Sequence, residues 1–104
     1  MEATRTTKTY QLSSADERLT TMMKALGHPA RMRIVRYLSE NPQCITGDIV
    51  EVLPLAQATV SQHLKVLKEA GLIVGTIEGA ATCYCLSDEA IAWFKEQVQL
   101  RFQA

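Results

Sequence analysis

From Gln57 to Gly79 the chain reads QATVSQHLKVLKEAGLIVGTIEG, a short helix pattern with a polar leading end followed at once by β-branched and apolar residues. At about 100° per residue, Val60, Leu64 and Leu67 share one helical face, while Ala58, Thr59, Gln62 and Lys65 fall on the outer one. Gly71, after Ala70, is the left-handed stop that ends such a helix. Residues 72–77 then predict a strand, Glu78-Gly79-Ala80 a turn, and residues 81–86 the returning strand. A polar-nosed helix set against a two-strand hairpin is how a chain presents itself to duplex DNA.

Upstream, Pro54-Leu55-Ala56 breaks the chain, and Thr46 can cap a short helix over residues 47–53. That helix carries Asp48 where the dipole favours negative charge, and it would bury Ile49, Val50 and Leu53. Residues 43–45 leave room only for a strand stub. Pro29 suits a first helical position, and Ile34, Val35 and Leu38 make an apolar stripe ending at Asn41-Pro42, so a helix is expected over 29–40. Ser14-Ala15-Asp16-Glu17 fits a capping box, and Leu19, Met22, Met23 and Leu26 keep helical spacing until Gly27, predicting a first helix over 15–26. Residues 1–12 are polar and Thr-rich, an arm in which only Tyr10 and Leu12 could pack. At the other end Ser87 caps a final helix, with Ile91, Phe94 and Val98 on one side and Trp93 and Leu100 elsewhere. Its apolar surface is too large to face water alone.

The order helix, helix, strand, helix, helix, strand, strand, helix specifies a mainly α fold with a small β-hairpin wing, the winged helix-turn-helix. Residues 13–104 are expected to form one such domain, since 104 residues support one modest core and not two. Lys plus Arg equals Asp plus Glu at 11 each, so no bulk polycation signal exists and any DNA footprint must come from local placement. Three cysteines and the lack of an apolar leader before Tyr10 point to reduced thiols in a cytoplasmic protein. The longest apolar runs fall far below the roughly 18 residues a membrane span requires.

A recognition helix enters the major groove with its N-terminal residues toward the base edges, which favours short or amide side chains there. Gln57, Thr59, Ser61 and Gln62 meet that need, with Gln57, Thr59 and Gln62 placed for readout and Lys65 for a phosphate. Polar residues on a solvated helix face also occur with no such role. His63 is within reach of the phosphates, or else a packed residue at the edge of the apolar face. His28, between Gly27 and Pro29, reads as a turn residue at a helix start. Arg31, Arg33 and Arg36 form a basic cluster that is either a solvated face with ion pairs or a set of phosphate contacts. Glu78 at the hairpin tip repels phosphate and weakens the wing as a DNA contact.

Three segments taken in order, Ala25-Leu26-Gly27-His28-Pro29-Ala30-Arg31-Met32-Arg33-Ile34, Thr59-Val60-Ser61-Gln62-His63-Leu64-Lys65-Val66-Leu67 and Ala70-Gly71-Leu72-Ile73, resemble the arsenic-repressor (ArsR/SmtB) family of bacterial metal-sensing repressors. The resemblance covers about residues 15–102. It implies a homodimer formed by the first and last helices, bound to a near-palindromic double-stranded operator and released when an effector binds. No enzyme and no required cofactor are expected, because neither His28 nor His63 has an evident place beside a cysteine and no cofactor motif appears. The family's type with Asp and His ligands on the last helix is not matched, because residues 87–104 contain no His or Cys. The arsenic-sensing type carries Cys-x-Cys at the start of the helix expected over 47–53, whereas this chain has Cys44 and then Thr46.

Cys83 and Cys85, two apart in a strand, project to one face with Tyr84 on the other, their Cα atoms about 6.5 Å apart for a rise of about 3.3 Å per residue. That is near the upper limit for a disulfide, yet a metal or metalloid can span it. In a winged-helix fold the stub before the 47–53 helix pairs with the returning wing strand, which would let Cys44 complete a three-thiolate cluster. Soft thiolates select thiophilic ions, and with no evident fourth ligand for structural zinc, trivalent arsenic or antimony is the preferred effector. Three alternatives stay open: inert packing of the thiols, a redox or persulfide switch using Cys44 and one wing thiol, and a protein-interaction winged helix that binds no DNA.

Overall fold

The computed structural model describes residues 11–43, 45–46, 54–76 and 83–103. Most of the expected arm, the 47–53 helix, Cys44 and the wing turn with Glu78 lie outside the described residues. The element order is α1 (Ser14–Leu26), α2 (Pro29–Glu40), β1 (Ile45–Thr46), α3 (Gln57–Glu69), β2 (Ile73–Thr76), β3 (Cys83–Leu86) and α4 (Asp88–Arg101). The sheet order is β1-β3-β2, both pairings antiparallel, so the stub does join the returning wing strand. This is the mainly α, winged fold that the periodicities predict.

Each described helix begins where a side chain satisfies an orphan backbone donor, with one exception. α1 is capped one residue earlier than the Ser14 box predicts: Ser13 Oγ accepts the Asp16 backbone N–H at 3.0 Å. The spacing from Ser13 to Asp16 is that of the same box with a shorter acid, so Asp16 takes the role expected of Glu17. In α2 the cap is His28, whose Nδ1 accepts from the Ala30 N–H at 3.1 Å, with Pro29 as the first helical residue. Ser87 Oγ accepts the Ala90 N–H at 3.2 Å to open α4. α3 is the exception, following Ala56 with no side-chain cap.

The C-terminus of α3 is closed by a Schellman motif. The Gly71 N–H donates to the Lys68 carbonyl at 2.9 Å and the Leu72 N–H to the Leu67 carbonyl at 3.0 Å, with Gly71 at φ +82°. Leu72 then accepts from the Ser87 N–H at 2.9 Å. One residue thus couples the end of α3 to the start of α4.

The core gathers Met22 and Ala25 from α1, Ile34 and Leu38 from α2, Val60, Leu64 and Leu67 from α3, then Leu72, Ile73, Tyr84 and Ala90. In α2 and α3 the buried residues follow the predicted stripes with Val35 half-buried; in α1 Leu19 and Met22 are buried as expected, but Ala25 takes an inward place, Leu26 is half-buried and Met23 is exposed. α4 keeps the surplus apolar surface read from its sequence: Ala90 is fully buried, and Ile91, Trp93, Phe94 and Val98 are half-covered. Polar contacts join it to α1: Arg101 meets Asp16 at 2.6 Å, Arg18 meets Glu89 at 3.4 Å, and the Arg18 guanidinium lies 4.1 Å from the centre of the Trp93 ring. The Arg101 guanidinium beside Asp16 holds that carboxyl below the ordinary 3.8. Among the described residues no helix is long and apolar enough to cross a membrane.

Among the described residues Gly71 and Gly75 have positive φ, for different reasons. Gly71 faces open space, whereas at Gly75 (φ +115°) an added Cβ would stand 2.8 Å from the Tyr84 Cα and closer still to the Cys83 carbonyl oxygen. Gly75→Ala is therefore expected to cost about 2 kcal/mol or more, and Gly71→Asn less than about 1 kcal/mol, in urea unfolding. Equal shifts for the two variants would show that the backbone approach at Gly75 carries no special cost.

Candidate nucleic-acid interface and thiol strand

α3 turns Val60, Leu64 and Leu67 into the core and leaves Gln57, Ala58, Thr59, Gln62 and Lys65 exposed. Ser61 and His63 are half-buried at the margins. No acidic residue stands in the first turn, so the positive end of the helix dipole and its amide and hydroxyl side chains face solvent together. Such an end can approach a phosphate backbone without repulsion and offer hydrogen bonds to base edges.

His63 is not isolated. Its Nδ1 lies 3.4 Å from Arg31 Nη1, and its ring centre is 4.5 Å from that of His28. Arg31 Nε in turn donates to the Ala25 carbonyl at 2.5 Å. Arg31 thus bridges the last turn of α1 to α3, a role hidden in the sequence, where it stands as one of a basic run with Arg33 and Arg36. The available signal was the His28-to-Arg31 spacing, which sets the two on one face at the start of α2. Arg33 and Arg36 are exposed and line a cleft with Tyr37 and Glu40. The Arg36 to Glu40 pair is long at 4.0 Å and exposed on both sides, so it contributes little.

On β3, Tyr84 is 1% exposed while Cys83 and Cys85 are half-buried on the opposite side. The register sets Ile45 opposite Tyr84 and Thr46 opposite Cys83 in β1, and Val74 opposite Cys85 in β2. Two soft donors on one face of one strand suit a thiophilic ion. Among the described residues no group of three His, Cys, Asp or Glu side chains is placed to hold a metal ion, and Cys44 lies outside them.

The family described as Bacterial regulatory protein, arsR family, matches residues 28–74, from the His28 cap through α3 into β2. The transcriptional regulator MJ1325 of Methanocaldococcus jannaschii is 33% identical over 84 residues, which cover 81% of this chain and 91% of that one. The chain belongs to the arsR family of bacterial regulatory proteins. The transcriptional repressor SmtB of Mycobacterium tuberculosis is 39% identical over 71 residues, 68% of this chain and 52% of the repressor, so the chain spans about half that protein's length. Among solved structures, the cadmium metal-sensor CMTR of Mycobacterium tuberculosis superposes with a TM-score of 0.56 at 33% identity, covering 80% of this chain and 86% of that one. These arsR-family relatives are transcriptional regulators and not enzymes.

The His63 cluster makes a pH prediction. Burial first, then His28 and Arg31, lower the His63 pKa below the ordinary 6.5. The unfolded chain therefore takes up a proton at higher pH than the folded one, and stability falls as pH drops below about 6.5 until the folded site also protonates. His63→Gln should flatten the melting temperature against pH across that window, and an unchanged slope would count against the cluster.

Proposed function

We infer that the chain is a cytoplasmic transcriptional repressor that binds operator DNA as a homodimer and releases it when a thiophilic metal or metalloid occupies Cys44, Cys83 and Cys85. Residues 13–104 are its single domain and residues 1–12 an arm. The observation that carries the DNA-binding half is the division of α3, with its apolar stripe fully committed to the core and Gln57, Thr59, Gln62 and Lys65 left for a duplex. Ser61 and His63 border that surface. For the thiol half, the supporting observation is the pairing of Ile45, the residue after Cys44, with Tyr84, the residue between the two wing cysteines. Trivalent arsenic or antimony suits three thiolates, and cadmium joins them as a candidate because the CMTR relative is a cadmium metal-sensor.

Operator affinity is to be followed by fluorescence anisotropy on duplexes selected by the protein. Gln57→Ala and Gln62→Ala should each cost about 1–3 kcal/mol in discrimination, and Lys65→Ala should lower the salt slope by about 1 without changing sequence preference. Arsenite, antimonite or cadmium should weaken binding by up to roughly 150-fold, a coupling of about 3 kcal/mol. Serine at Cys44, Cys83 or Cys85 should abolish that response and spare the unliganded affinity. No response to any of the three ions would refute the thiol half, and no salt-dependent duplex binding the DNA half.

The homodimer rests on apolar surface left uncovered in the single chain. Phe102 is 73% exposed and Leu100 and Met23 are also open, beside the half-covered Ile91, Trp93, Phe94 and Val98 of α4. Leu100→Glu with Phe102→Glu should shift the protein from dimer to monomer in sedimentation equilibrium while retaining its helical content. A wild type that sediments as a monomer at micromolar concentration would exclude this pairing.

A further inference from the structure

The geometry points to Lys68 as the positioning residue that ties the thiol strand to the recognition helix α3. This rests on the thiol reading above and names the route by which an ion on the wing is felt at the DNA surface. Lys68 occupies the last turn of α3, and its Nζ donates to the Gly75 carbonyl oxygen at 2.5 Å, a short charge-assisted bond from the helix to the middle of β2. Gly75 is paired with Tyr84, and its neighbours Val74 and Thr76 are paired with Cys85 and Cys83. The lysine thus grips the residue centred opposite the two thiols.

The contact between β2 and β3 at this point has no side chain to absorb a shift. Gly75 holds φ +115°, and the space of a Cβ is already taken by the Cys83 carbonyl and the Tyr84 Cα at 2.8 Å. Packed backbone transmits displacement where a flexible side chain would dissipate it. Drawing Cys83 and Cys85 around an ion moves their peptides against Gly75, and Gly75 moves the ammonium and with it the end of α3. The Leu67 to Leu72 to Ser87 backbone links also reach α3, but they run from its end to α4 and bypass the middle of the wing. Ile73 of β2 also packs in the core with Leu64 and Leu67, but among the described residues Lys68 is the polar side chain that joins the middle of β2 to the helix that carries Gln57, Thr59 and Gln62.

The test compares wild type with Lys68→Met, which keeps the stem and helix propensity and removes the ammonium, and Lys68→Arg, which keeps the charge and reach. Cadmium chloride and sodium arsenite are the probes. Thiolate-to-metal charge-transfer absorption gives occupancy, and operator anisotropy gives affinity with and without each ion. Lys68→Met should load the ions as wild type does, yet lose at least tenfold of the ratio between unliganded and loaded affinities, while Lys68→Arg keeps most of it. Equal ratios in wild type and Lys68→Met overturn the inference and leave the thiol reading intact, and so does an equal loss of affinity in both states, which would make Lys68 only a phosphate contact. A wild type whose thiols load but whose affinity does not move, or whose thiols do not load, overturns the thiol reading and the inference with it.

Discussion

The described sheet depends on β3, the strand hydrogen-bonded on both edges. It must send Tyr84 into the core and Cys83 and Cys85 the other way, because successive strand residues alternate sides. Tyr84 is then held in the core with buried side chains of α1 to α4, and its backbone position is fixed by it. The cysteines inherit that fixity without being part of the core themselves. A register slip of one residue would bury both thiols and expose the tyrosine, so the aromatic ring locks the presentation of the sulfurs.

α3 is secured at its far end and left open at its near end. Its apolar stripe packs against α1 and α2, and the Schellman motif fixes where it stops. Its leading end has no side-chain cap, and its first turn carries no acidic residue. Packing and exposure are thereby separated along one helix: residues that fix its position lie on one face and toward the C-terminus, and exposed amide and hydroxyl side chains stand toward the N-terminus.

Long periodic segments were legible from sequence because their signals are redundant. Ile34 and Leu38, or Val60, Leu64 and Leu67, mark the same face several times over, and Gly71 and Pro29 punctuate them. The stub pairing was legible through the fold, since a strand that short has few edges to join. What escaped was set by single side chains. The α1 cap fell on Ser13 because Asp16 closes the box as well as Glu17 would, and two adjacent serines give spacing nothing to decide between. Arg31 looked like one charge among three until the turn at Gly27 brought the Ala25 carbonyl and His63 within its reach. The half-covered state of α4 was visible as surplus apolar surface, but not the guanidiniums that meet it.

One of those guanidiniums has an optical consequence. Trp93 is the chain's single tryptophan, and its ring lies under Arg18 of the neighbouring helix. A cation held over an indole perturbs its excited state, so emission excited at the red edge, where the three tyrosines hardly absorb, originates from the seam between the first and last helices. Any event that parts or tightens that seam is written in the colour and intensity of one indole, with no label attached.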